Sequence, residues 1–109
     1  MRYANGINYN KIVYDEEHKV FLYEDLFGYS VLASLQFYSP DEIIVPGTYN
    51  GKTVHTIMSW AYYTSEAVSI RISSGVNKIQ KYAFYADAYA YAFFIPKSVK
   101  TIVAYGVCN

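Results

Sequence analysis

Few residues in this chain carry reactive chemistry. Histidine occurs at His18 and His55, and the one cysteine is Cys108. His18 ends the acidic run Asp15-Glu16-Glu17-His18, the only cluster with the composition of a metal site. Ligands must converge on an ion, whereas adjacent residues at a hairpin tip point in different directions, and no second cluster completes a shell. A solvated loop is therefore expected there, with no metal. His55 lies between Val54 and Thr56 in a stretch with strand character, where alternation turns it outward. Glu66 and Asp87 would form a carboxylate pair if their segments stacked, but equivalent positions in a repeat account for them better. No nucleophile elbow or glycine-rich phosphate loop is present. These features predict a protein with no catalytic residues and no cofactor.

Aromatic side chains are the better candidates. The chain has 14 Tyr, 6 Phe and 1 Trp, and aromatics make up 19% of it. Tyr82, Phe84, Tyr85, Tyr89, Tyr91, Phe93 and Phe94 crowd together, with Trp60, Tyr62 and Tyr63 earlier in the chain. Phe84 and one of Phe93 and Phe94 are expected in the core. Tyr63, Tyr85, Tyr89 and Tyr91 are expected to line one side as a contact face, because rigid amphipathic rings give large contact area at low entropic cost. The competing reading is that many tyrosines merely edge a core too small to hide them.

A repeat positions these residues. Val54-His55-Thr56-Ile57 with Ala61-Tyr62 recurs as Val76-Asn77-Lys78-Ile79 with Ala83-Phe84, and again as Val99-Lys100-Thr101-Ile102 with Gly106-Val107. The steps between the three valines are 22 and 23 residues. A short apolar run precedes each copy: Ile43-Ile44-Val45-Pro46, Ile70-Arg71-Ile72-Ser73 and Phe93-Phe94-Ile95-Pro96. One such unit cannot bury its own apolar face and must stack on the next. Val and Ile at constant phase then form ladders, and the small residue at 61, 83 and 106 lets the backbone turn close to its neighbour. Asn50-Gly51 marks a tight turn within the first unit.

Residues 1–42 do not fit this pattern. Lys11–Tyr14 and Lys19–Tyr23 read as a β-hairpin around the acidic loop. Glu24–Tyr29 reads as a turn, and Ser30–Tyr38 as a third strand in preference to a short helix. Charge is segregated although the whole chain is neutral. Residues 1–42 hold seven acids against three bases (net −4), and residues 43–109 hold six bases against two acids (net +4). Opposite ends of opposite sign favour head-to-tail association. A sequence pI near 6.7 gives phosphates no basic excess to attract, which argues against nucleic acid. No apolar run reaches the ~18 residues of a membrane span, and the first residues lack the apolar segment of a signal peptide.

The segments Phe94-Ile95-Pro96-Lys97-Ser98-Val99-Lys100-Thr101-Ile102 and Val76-Asn77-Lys78-Ile79-Gln80-Lys81-Tyr82-Ala83-Phe84-Tyr85 resemble the BspA-like leucine-rich repeats. Val45-Pro46 to Ile57, with its Gly-Lys insertion, is similar to that family's first repeat. The resemblance covers about residues 43–109. Tyr85-Ala86 and Tyr63-Thr64 depart from it, standing where the family often has Gly-Cys, and aromatics replace most leucines. It implies a mainly β fold: a short solenoid of about three leucine-rich-repeat-like units over 43–109, with an antiparallel β cap over 1–42, in one continuous domain. It also implies surface or virion proteins that bind other molecules, with no catalytic residues to carry over. The expected function is a non-enzymatic structural and interaction module that assembles with copies of itself or with other subunits, in a virion or at a cell surface. The alternative is an adhesin-like module that takes a host protein or a glycan on its aromatic face. The absence of a polar cap after Cys108-Asn109 is expected to favour the first.

Overall fold

A computed structural model describes residues 6–36, 42–63, 67–85 and 92–107. The fold is mainly β, and the only helix among the described residues is a 3-10 turn at Tyr9–Lys11. It starts as an antiparallel meander of β1 (Ile12–Asp15), β2 (Val20–Asp25) and β3 (Gly28–Ser34). Val20, Leu22 and Val31 are fully buried, the inward half of an alternating pattern. The loop between β1 and β2 is held by the buried Asp15. Its carboxylate accepts the N–H groups of Glu17 and His18 (3.0 and 3.2 Å) and lies 2.8 Å from His18 Nδ1. The loop expected to be solvated is thus tied down from inside, with Asp15 only 4% exposed.

The reversal after β2 is tighter than the sequence suggested. A two-residue turn, Leu26-Phe27, replaces the expected longer one, and β3 starts at Gly28. Gly28 has φ +134°, and a side chain there would run into the carbonyl of Thr53. Only glycine allows both the reversal and the close passage. The strand expected over Ser30–Tyr38 is present through Ser34, and residues 37–41 lie outside the described set.

From β3 onward the chain pairs in parallel with itself, apart from the β5–β6 hairpin. The larger sheet has the order β1-β2-β3-β6-β8-β10, with β6 at Lys52–Ile57, β8 at Lys78–Ile79 and β10 at Thr101–Ile102. β5 (Thr48–Tyr49) joins β6 through a hairpin at Asn50-Gly51, both with positive φ. The smaller sheet has the order β4-β7-β9, at Glu42–Val45, Ser69–Ile72 and Ala92–Phe94. Its register aligns Ile43 with Ile70 and Ile70 with Phe93. The sequence-equivalent positions of the three units thus meet side by side.

The core lies between the two sheets. Val54, Val76, Ile57, Ile79, Ile43, Ile70 and Phe84 are fully buried. The third unit is covered less well: Val99 is partly buried, and Ile102 is 45% exposed. Equivalent ladder positions therefore differ in what they contribute. Ile79→Ala should cost about 2–5 kcal/mol through lost burial and a residual cavity. Ile102→Ala should cost less than about 1 kcal/mol, as at a surface position. Urea denaturation of the two variants checks this, and equal costs would show that the last unit is packed as tightly as the middle one.

Candidate functional site

The candidate contact face forms where each unit turns out of the larger sheet. Three equivalent turns are closed by i to i+3 hydrogen bonds. Ala61 donates to the carbonyl of Met58 (3.2 Å), Ala83 to that of Gln80 (3.2 Å) and Gly106 to that of Val103 (2.8 Å). The third residue of each turn is aromatic and left-handed: Trp60 at φ 66°, Tyr82 at 61° and Tyr105 at 63°. Glycine or asparagine is the usual choice where a turn needs this conformation. A bulky residue there costs about 1–2 kcal/mol, and this chain repeats the choice three times.

Successive turns bond to one another. Trp60 N–H donates to the Tyr82 carbonyl (3.1 Å), Tyr62 N–H to that of Ala83 (2.9 Å) and Phe84 N–H to that of Gly106 (3.1 Å). This spacing aligns the side chains in columns. Tyr62 and Phe84 point inward and stack at 5.0 Å, with Phe93 edge-on to Phe84. On the outside, Tyr82 stacks on Trp60 at 5.0 Å and on Tyr105 at 5.6 Å. Tyr63 and Tyr85 form a second column at 5.7 Å, their planes 3° apart. Edge-to-face contacts of Trp60 with Tyr63 and Tyr85, and of Tyr82 with Tyr85, join the columns. Trp60, Tyr63, Tyr85 and Tyr105 are 37–57% exposed, and the Lys81 ammonium lies 5.0 Å from the Tyr82 ring centre.

Of the four tyrosines expected to form a contact face, Tyr63 and Tyr85 are exposed and stacked, while Tyr89 and Tyr91 lie outside the described residues, as do Glu66, Asp87 and Cys108. Trp60, Tyr82 and Tyr105 are the larger part of the face, and the sequence reading did not select them as contact residues. Their signal is the repeat step itself: each precedes the small residue at 61, 83 or 106. The joined columns form a ledge of partly exposed aromatic rings fixed by their mutual contacts.

His55 does not face freely outward as expected. Its side chain is 16% exposed. Nε2 lies 3.0 and 3.1 Å from the two carboxylate oxygens of Asp25, and Nδ1 lies 2.7 Å from the Thr56 hydroxyl oxygen. The carboxylate only accepts, so Nε2 carries a hydrogen. Burial pushes the Asp25 carboxyl up, but the N–H of Phe27, His55 and the N–H of Gly28 together hold it below its ordinary value. Beside it, Lys52 bonds Glu24 at 2.9 Å and holds that carboxyl down. Both pairs brace the meander against β6. Among the described residues, no three His, Cys, Asp or Glu side chains converge as a metal site would require.

No protein-family profile matches this chain, and no curated protein matches it. Among solved structures, the crystal structure of a T. pallidum leucine rich repeat protein (TpLRR) is similar, with a TM-score of 0.63 at 16% sequence identity. The match covers 92% of this chain and 41% of that protein, so this chain spans less than half the length of its neighbour. The likeness establishes a leucine-rich-repeat-like fold.

The strained turns give a measurable inversion. Tyr82→Ala and Tyr82→Gly both delete the ring, but only alanine keeps the left-handed penalty. Tyr82→Gly should therefore be more stable than Tyr82→Ala by about 1 kcal/mol, the reverse of their order in a helix or strand interior. Denaturant midpoints decide the matter, and alanine coming out more stable would mean the turn carries no strain.

Proposed function

We propose that this protein is a non-enzymatic protein-interaction module, a short solenoid of leucine-rich-repeat-like units that takes a protein partner on its aromatic ledge. The observation that carries this reading is the doubled column of Trp60, Tyr82 and Tyr105 beside Tyr63 and Tyr85. Exposed Trp and Tyr on a rigid backbone are the residues that dominate binding energy at protein interfaces. The rings of Trp60, Tyr82 and Tyr105 enter two stacked and three edge-to-face pairs. Each pair returns about 0.5–1.5 kcal/mol, a return comparable with the strain of about 1–2 kcal/mol at each of three turns. The narrower BspA-like kinship, and with it a place on a cell surface or virion, rests on the Pro-x-x-Val-x-x-Ile motif.

The triple variant Tyr63→Ser, Tyr85→Ser, Tyr105→Ser tests this. Tagged wild-type chain should capture a defined protein from extracts of its native source. The variant should lose that capture at least tenfold, with its melting midpoint lowered by only a few degrees. Undiminished capture would place the contact face elsewhere, and retention on a glycan array in preference to protein would overturn the choice of ligand.

A second reading, a subunit of a larger assembly, is favoured by the basic end of the stack. Phe94, Ile95 and Ile102 are 41–45% exposed there, beside Lys97 and Lys100, while the acids of β1, β2 and their loop lie at the other end. On this reading the purified chain should gain mass with concentration in light scattering and lose it as salt screens the ends. A monomer at every concentration sinks it.

A further inference from the structure

The most exposed apolar residues of the described chain lie away from the aromatic ledge. Leu26 is 97% exposed and Phe27 81% exposed, side by side at the tip of the β2–β3 hairpin. Two-residue hairpin turns favour Asn, Asp and Gly, so Leu-Phe contributes nothing to forming this one. Leaving both in water forgoes about 1.5–3 kcal/mol of burial for each. The tip is nonetheless rigid. Asp25 Oδ1 accepts the Phe27 N–H at 2.8 Å, Asp25 is held by His55, and Gly28 packs against the Thr53 backbone. The result is a preorganised apolar finger with Glu24 and Asp25 at its base.

The same molecule carries an open groove of mixed lining. It runs along β7 and β9, is lined by Arg71, Ser73, Ser74, Phe93, Phe94 and Ile95 among others, and has a volume of about 590 Å³. That lies within the ~300–1,000 Å³ typical of ligand pockets. The Arg71 side chain is half exposed, pairs with Glu42 at 3.6 Å and spreads over Phe94, 4.2 Å from its ring centre, with Lys97 following Pro96 at the end of the groove. β9 is also an edge of its sheet, and its residues Ala92, Phe93 and Phe94 carry no charge to guard that edge.

We propose that the Leu26–Phe27 finger of one copy seats in the β7–β9 groove of the next, building head-to-tail assemblies from this chain alone. The proposal rests on the assembly reading above and supplies its contact. The apolar finger meets the apolar side chains of the groove. The end that carries the finger, net −4 over residues 1–42, meets the end that carries Lys97 and Lys100, net +4 over residues 43–109. Glu24, Asp25 and Arg71 stay paired within their own copy. Finger and groove are different surfaces, so each copy keeps one of each free and growth does not stop at a dimer.

Sedimentation velocity over a range of concentrations tests this, with reductant present so that Cys108 cannot link copies. Wild type should assemble. Leu26→Ser with Phe27→Ser, and separately Ile95→Asp, should each weaken association at least tenfold while melting within a few degrees of wild type, because these side chains are exposed. An equimolar mixture of the two variants should form a heterodimer and nothing larger, since one retains only a working groove and the other only a working finger. Wild-type assembly that survives the finger substitutions overturns the finger-in-groove contact while leaving self-assembly standing. Loss in the finger variant but not in Ile95→Asp shows that the finger seats elsewhere, and overturns the proposal. A wild type monomeric at all concentrations overturns both.

Discussion

The backbone of each repeat unit hydrogen-bonds to that of the next unit. Buried N–H and C=O groups must be paired, and segments as short as β8 and β10, two residues each, cannot pair internally. Ser34 therefore donates to Ala61, Tyr62 to Ala83 and Phe84 to Gly106, while Gln80 donates to Ile57 and Val103 to Ile79. This requirement holds the units at strand spacing and in register. The ladder of buried Val and Ile follows from it, as does the small residue at 61, 83 and 106. A methyl on Gly106 would lie 3.0 Å from the Val103 carbonyl oxygen and 3.1 Å from the Ile79 side chain, so little room remains at that corner.

The same spacing makes the aromatic ledge. Neighbouring strands lie about 4.7–4.9 Å apart, and rings placed at one phase of the repeat inherit that separation. Stacking at 5.0 and 5.6 Å in the outer column and at 5.0 Å in the inner one is thus a consequence of backbone pairing. The left-handed turn decides which column faces water. It directs residues 60, 82 and 105 outward and leaves Tyr62 and Phe84 in the core. The ledge is firm because its rings are fixed by the ladder beneath them.

The meander at the N-terminal end uses a different device. Its strands are antiparallel, and β3 passes into the parallel ladder at β6. Side-chain pairs across this join, Glu24 with Lys52 and Asp25 with His55, draw on the acids that set the charge of this end. One of them, Asp25, also shapes the exposed turn through the Phe27 N–H. A single carboxylate therefore links the brace of the meander to the geometry of its tip.

The primary structure by itself determined the β class, the repeat step and the buried ladder residues of the first two units, because burial at constant phase leaves a pattern that neighbouring residues can show; Val99 and Ile102 keep the phase but are covered less. It also marked Tyr63 and Tyr85, which stand out as aromatics beside the small-residue turn. It did not single out Trp60, Tyr82 and Tyr105 as contact residues, since their outward direction depends on a positive φ that residue type argues against. Nor did it show that His55 reaches Asp25 across 30 residues, or that Leu26 and Phe27 stand fully in water. Hydrophobic pattern predicts burial, and only the close approach of Gly28 to Thr53 fixes a turn tight enough to expel both side chains. Tertiary structure alone decided which aromatics share a surface, because that depends on the distance between paired repeat units and not on distance along the chain.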